Sequence, residues 1–239
     1  QIMFKINGRA IGLANSPYII AELSANHGND IEIAKDTMYA AKESGADCIK
    51  FQTYKAESLA LDIDNDIFGP RKDGLWKGIK PYDLYKNASM PYDWKPLLAE
   101  YAKSIDIDWF SSPFDNEAVD FLESIDCPKY KIASFEIRDI PLIRHVAKTL
   151  KPVIMSTGIA MIDDIELAID ACYKEGNKKV SLLKCTSSYP APYNDINLYS
   201  IEFLKYKFNV EIGLSDHTLG IEIPIAAVAL GASIIEKHF

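Results

Sequence analysis

The chain has 239 residues, 48% hydrophobic and 25% charged, a globular balance that excludes disorder and collagen-like repeats. Its formal charge of −8 makes it a poor general partner for nucleic acid, whose phosphates need a basic field. No apolar run approaches the ~18 residues that would cross a membrane as a helix.

Residues 2–10 are expected to form a small hairpin at the bottom of the fold. After it, short apolar runs alternate with helix-period segments. The runs 18–22, 47–52, 107–111, 129–133, 152–156, 180–185, 211–214 and 233–237 read as strands. Each is nearly continuous in Ile, Val, Leu, Phe, Met or Ala, as parallel strands covered on both faces should be. Asn29 or Asp30 caps a helix carrying Ala34, Met38 and Ala41, and Gly45 closes it. Asp115 opens a second helix with Val119 and Leu122. Asp139 opens another, with Pro141 in its first turn. Asn197 precedes a helix with Ile201, Leu204 and Phe208, and 220–230 forms a last one before Gly231. Eight strands alternating with seven helices predict a (β/α)₈ TIM barrel that ends at its eighth strand. A doubly wound sheet is the rival, but its G-x-G-x-x-G turn is absent. The stretch 53–91 is a long insertion in the second βα unit, expected to cover the substrate on the catalytic face. No linker or repeat divides residues 1–239, so one domain is expected. A start at Gln1 and a stop at Phe239 just after an apolar stretch suggest a piece of a longer chain. Cys48, Cys127, Cys172 and Cys185 form no CxxC pair and read as reduced cytosolic thiols, mostly buried.

Barrel enzymes carry their chemistry where strands end, and every predicted strand ends here in polar residues. Lys50, Lys131, Lys184 and Lys237 fall on the second, fourth, sixth and eighth strands, with Ser111, Ser112, Ser156 and Ser215 on the odd strands between. Lysines and hydroxyls converging in a barrel mouth would bind a phosphate or carboxylate. Lys237 and His238 are adjacent and cannot both point inward; the histidine is taken as inward and Lys237 as a packing or salt-bridge residue. His217 and His238 end consecutive strands, about 4.8 Å apart, which suits an exchangeable Mn²⁺ or Mg²⁺ whose shell is completed by water and substrate oxygens. Glu22 lies in an apolar run, so it must pair with an inward lysine or act on substrate. His27 is expected to be a loop hydrogen-bonder or substrate contact, His145 a surface residue, and Cys185 a core residue without an obvious neighbouring base.

The strings I-I-A-E-L-S-A-N-H-G (19–28), G-A-D-C-I-K-F-Q-T-Y (45–54), S-S-P-F-D (111–115), Y-K-I-A-S-F-E (130–136), S-T-G-I-A (156–160), L-K-C-T-S-S-Y-P (183–190), G-L-S-D-H-T-L-G (213–220) and A-L-G-A-S-I-I-E-K-H-F (229–239) resemble the sialic acid synthase family. Within it, E-L-S-A-N-H, G-L-W (74–76), Y-D-L-Y-K (82–86) and K-I-A-S-F-E are most similar to its pseudaminic acid branch. The resemblance implies a (β/α)₈ barrel followed by a small antifreeze-like (SAF) domain. It implies condensation of phosphoenolpyruvate with an acetamido sugar to a nine-carbon α-keto acid. It further implies that Lys50, Ser112, Lys131, Ser134, Ser156 and Ser215 hold the phosphoenolpyruvate oxyanions. His217 and His238 would hold a divalent metal, Mn²⁺ foremost, with Mg²⁺ or Co²⁺ as alternatives. Glu22, Gln52, Glu136 and Tyr189 would contact the sugar, with Glu22 also placed to orient a water. Ser112 stands where many relatives have Thr. The last barrel helix and the antifreeze-like domain are expected outside these residues. In the family that domain reaches across a homodimer to the partner's site. A cytoplasmic location follows from the same resemblance. The rival functions are a neuraminic or legionaminic acid synthase, a Schiff-base aldolase using Lys131 or Lys184, and a non-catalytic sugar-phosphate-binding barrel.

Overall fold

Eight parallel strands close on themselves in the computed structural model, which describes residues 4–74 and 76–239. Residues 2 and 3 of the expected hairpin, and Leu75 in the G-L-W string, lie outside the described residues. The hairpin is β1 (Lys5–Ile6) and β2 (Arg9–Ala10), antiparallel. Its turn, Asn7-Gly8, has φ of 47° and 81°, the left-handed pair that a two-residue hairpin requires. Asn7 donates to Asp108 (2.6 Å) and Arg9 to Asp47 (2.5 Å), which ties the hairpin to the N-terminal ends of the barrel strands.

The barrel strands are β3 (Tyr18–Glu22), β4 (Cys48–Thr53), β5 (Asp108–Pro113), β6 (Tyr130–Ile132), β7 (Val153–Ser156), β8 (Val180–Cys185), β9 (Glu211–Asp216) and β10 (Ile234–His238). β10 pairs with both β3 and β9, which completes the closure. All eight expected strands are present. Four run further toward the C-terminal rim than their apolar runs, because the ladder continues into polar residues: Glu236 pairs with Ser215 and Lys237 with Asp216. β6 stops early, at Ile132, and Ser134–Glu136 forms a 3₁₀ turn.

Seven crossover helices jacket the barrel: α1 (Ile31–Glu43), α4 (Trp94–Ser104), α5 (Asn116–Ser124), α6 (Ile140–Ala147), α7 (Ile162–Lys174), α8 (Tyr199–Phe208) and α9 (Glu222–Ala229). Asp30, Asp115 and Asp139 cap α1, α5 and α6, each accepting a backbone N–H of the first turn. Asn197 does not cap α8. It takes a left-handed φ of 44°, and Leu198 is the N-cap residue. The buried faces of the helices, with Met38, Leu98, Leu122, Val146 and Ala168, pack on the outer face of the sheet. Each large side chain so buried contributes roughly 1.5–3 kcal/mol. The insertion 53–91 carries two further helices, α2 (Ala56–Leu59) and α3 (Pro81–Ala88). Tyr54 anchors it, edge-on to both Tyr85 of α3 and Phe114 after β5, with ring centroids 6.3 and 5.4 Å away. No helix among the described residues is long and apolar enough to cross a membrane.

Candidate active site

Strand residues alternate between the barrel interior and the helical jacket. At the C-terminal rim this alternation sends Glu22, Lys50, Gln52, Ser112, Lys131, Ser156 and Ser215 inward, to the floor and wall of a cavity of about 520 Å³. Ser134, Tyr189, His217 and His238 complete the polar set expected there. Trp76 and Tyr85, from the insertion expected to cover the substrate, line the same cavity, as do Glu236, Phe135 and Cys185, which were not assigned to it from sequence.

The floor is charged and almost dry. Lys50 and Lys131 are only 4% and 2% exposed. Lys50 Nζ lies 2.7 Å from Glu22 Oε2 and donates to Glu236 Oε1 at 3.0 Å. Lys131 Nζ and Ser215 Oγ donate to the same oxygen at 3.4 and 3.3 Å. Burial pulls the Lys50 ammonium down to about 8, with Glu236 opposing the shift. Burial alone would raise the Glu236 carboxyl; Lys131 and Lys50 outweigh it and hold that group well below the usual carboxylate range. The Ser24 N–H donates to Glu22 Oε1 at 3.0 Å. Around this network the Ser112 and Ser156 hydroxyls and Glu236 Oε2 are buried without a hydrogen-bond partner. Unpartnered buried donors are costly in a folded chain; here they aim at the space a ligand's oxygens would fill. The Ser134 hydroxyl is already engaged, accepting the Gly158 N–H at 3.0 Å. A side chain on Gly158 would collide with Ser187 Oγ and with this hydroxyl, so glycine is required for the approach.

His217 and His238 meet above the floor, their ring centroids 5.4 Å apart. Tyr189 packs against both, at 4.3 and 5.9 Å. His217 Nδ1 lies 3.2 Å from the Thr186 carbonyl, which orients the ring. One edge of His238 is open to solvent, yet packing around the ring, with His217 and Lys50 nearby, lowers its pKa to about 4, so it is neutral at pH 7. Among the described residues no set of three or more His, Cys, Asp or Glu side chains is arranged for a metal. Cys185 is buried as expected, and it also lines the cavity, with His217 Nδ1 3.7 Å from its sulfur. Burial pushes this thiol up, but His217 outweighs it, leaving it at about 7.

Three residues are placed elsewhere than the sequence suggested. Lys184 does not join the mouth lysines. It is one residue out of phase with Cys185, faces the space between α7 and α8, and donates to Thr186 Oγ1 at 2.6 Å. Ser111 is likewise out of phase with Ser112, and its hydroxyl bonds Thr53 at 2.7 Å on the jacket side. Glu136 does not line the cavity; its Oε2 is buried without a partner, and burial raises the carboxyl to about 7. His27 is the loop hydrogen-bonder expected: its Nδ1 accepts the Asn29 N–H at 3.1 Å, and the buried ring stands edge-on to Trp94. Lys237 is the salt-bridge residue expected, paired with buried Asp216. His145 pairs at the surface with Asp120 at 2.7 Å. The four cysteines are free and buried.

Comparison with known proteins adds a family to this geometry. The NeuB family model matches residues 37–239. A pseudaminic acid synthase of Helicobacter pylori is 48% identical over 93% of this chain and 65% of its own length. An N,N'-diacetyllegionaminic acid synthase of Legionella pneumophila is 39% identical over 98% of this chain and 67% of its own. An N-acetylneuraminic acid synthetase structure from Leptospira borgpetersenii, with citrate, superposes with a TM-score of 0.87 at 37% identity, covering 99% of this chain and 78% of that one. The chain thus spans just under two thirds of the length of its pseudaminic relative.

Proposed function

The chain belongs to the NeuB family, and on that premise we propose that the intact protein is a pseudaminic acid synthase. It condenses phosphoenolpyruvate with the open-chain aldehyde of 2,4-diacetamido-2,4,6-trideoxy-altrose and releases phosphate. The observation that carries this reading is the pairing of two buried lysines with two unpartnered buried hydroxyls, Ser112 and Ser156, at the C-terminal ends of barrel strands. That set suits an oxyanion-rich substrate.

In this reading Lys50, Lys131 and the hydroxyls of Ser112, Ser156 and Ser215 bind the carboxylate and phosphate of phosphoenolpyruvate and fix its methylene carbon toward the sugar. The methylene carbon forms the new bond to the aldehyde carbon, water adds to the former enol carbon, and phosphate leaves. Glu22, held by Lys50 and the Ser24 N–H, orients that water. Gln52 and Tyr189 meet the sugar; Glu136, behind the wall, acts on it only through its neighbours. His217 and His238 fit a divalent cation: both are inward, adjacent, and one is already oriented through its far nitrogen. With only two protein donors, the remaining ligands would be water and substrate oxygens. Such an ion, Mn²⁺ in this proposal, supplies polarisation of the aldehyde oxygen. A homodimer and a cytoplasmic location belong to the same reading.

The test supplies the intact protein and Mn²⁺ with phosphoenolpyruvate and each candidate hexose, and measures phosphate release. Turnover of the trideoxy-altrose is expected. Activity confined to N-acetylmannosamine, or to the legionaminic precursor, would overturn the choice of sugar. No phosphate release with any hexose would favour a binding barrel. Borohydride trapping of a covalent adduct at Lys131 would favour an aldolase.

A further inference from the structure

Glu236 is the residue that this reading leaves without a task. Its Oε1 takes three hydrogen bonds, from Lys50, Lys131 and Ser215. Those are three of the donors assigned above to an incoming anion. Its Oε2 is buried and has no partner. The formal charges of the floor also balance: Lys50 and Lys131 against Glu22 and Glu236. A cavity that is to receive a multiply charged enol phosphate therefore offers it no surplus positive charge, and its best donors are already taken by the chain itself.

We propose that Glu236 is a place-holding anion. In the free protein its carboxylate stands in for the substrate's, holding two deeply buried ammonium groups pre-aimed. Phosphoenolpyruvate then competes with Glu236 for the same nitrogens. Glu236 lies two residues before His238 on the same inward face of β10, so a cation held by His217 and His238 adds positive charge beside that carboxylate. The cation compensates Glu236, loosens its hold on the lysines, and frees them for the substrate. Cation and phosphoenolpyruvate thus bind with positive coupling transmitted through one side chain, and by linkage the coupling is reciprocal. Glu236 acts here as a positioning residue, through Lys50 and Lys131. The inference rests on the phosphoenolpyruvate reading of this site.

Calorimetry of phosphoenolpyruvate binding to the intact protein, without sugar, tests it. Titrations are run in EDTA and with Mn²⁺, for the wild type and Glu236→Gln. In the wild type Mn²⁺ is expected to tighten binding tenfold or more. In Glu236→Gln, metal-free binding is expected to be about tenfold tighter than in the wild type, and the Mn²⁺ effect to fall below threefold. If the glutamine variant does not fold, as judged by circular dichroism, Glu236→Asp replaces it. Its shorter reach keeps the charge but weakens the grip, so metal-free binding should be tighter than in the wild type and the Mn²⁺ effect smaller. Weaker metal-free binding in a folded variant would overturn the proposal, as would an undiminished Mn²⁺ effect, and either would leave the phosphoenolpyruvate reading standing. A wild type that binds no phosphoenolpyruvate even with Mn²⁺ would sink both.

Discussion

Lys50 is the hinge of the buried charge network, and its loss should fall on one residue. It bridges Glu22 at 2.7 Å and Glu236 at 3.0 Å. In Lys50→Met, Glu236 keeps Lys131 and Ser215, so it remains compensated. Glu22, 2% exposed, keeps only the Ser24 N–H. Removing one partner from a buried ion pair leaves an uncompensated charge and costs about 3–5 kcal/mol. For a chain of this size each kcal/mol lowers Tm by roughly 2–4 °C, so a fall of about 6–20 °C is expected. Glu22→Gln in the same background removes the stranded charge and still accepts the Ser24 N–H. The double variant should therefore recover more than half of the lost stability, although neither variant should turn over. Urea unfolding at pH 7 and calorimetric Tm measure both. A Lys50→Met cost under about 1 kcal/mol would refute the reasoning. So would a double variant no more stable than the single, because either result means that Glu22 is not stranded.

Two further outcomes follow from other parts of the fold. Trp76, 43% exposed on the cavity wall, adds apolar surface above the charged floor. Trp76→Ala should raise KM for the acetamido sugar about tenfold while leaving the phosphoenolpyruvate dissociation constant unchanged; equal effects on both ligands would refute a sugar-facing role. Among the described residues Lys95 of α4 has no salt-bridge partner; it is buried, donates to the Met90 carbonyl at 2.9 Å, and burial brings its ammonium down to about 7, with Asp93 opposing the shift. Between that value and about 10.4 the unfolded chain binds a proton that the folded chain does not. Lys95 should therefore destabilise the fold less as pH rises from 7 to 10, so the Tm gap between Lys95→Met and the wild type should shrink over that range. Parallel Tm curves for the two proteins would exclude this origin.

The barrel was legible because its strands are covered on both faces and three of its seven crossover helices open on capping aspartates, which mark where runs give way to helices. That same double coverage hides phase. A strand apolar on both faces carries no in–out signal of its own, which is why Lys184 and Ser111 were read as mouth residues when they face the jacket. Glu236 was missed although its phase was available: with His238 inward and Lys237 outward, a period of two places Glu236 inward. The length of the 53–91 insertion pointed to a cover but not to Trp76 and Tyr85 in particular, and the proximity of His217 to Cys185 had no sequence signal. They depend on how an insertion folds back and how two loop ends meet, which are tertiary facts.

Phase also explains why an ion pair outside the cavity governs what lies inside it. On β9 and its end, Ser215 and His217 point inward and Asp216 outward; on β10, Glu236 and His238 point inward and Lys237 outward. The ladder sets Ser215 opposite Glu236 and Asp216 opposite Lys237. On the jacket side Lys237 donates to Asp216 and, at 2.6 Å, to the Thr218 carbonyl, so the outward pair holds the register on both sides of His217. A slip of one residue would turn every inward group of β10 to the jacket. It would bury Lys237 among the mouth lysines, unpaired, and leave Asp216, 2% exposed, without its cation. The alternation E-K-H against S-D-H therefore specifies register through a charge pair on one face. It thereby delivers two imidazoles and one carboxylate, side by side, on the other.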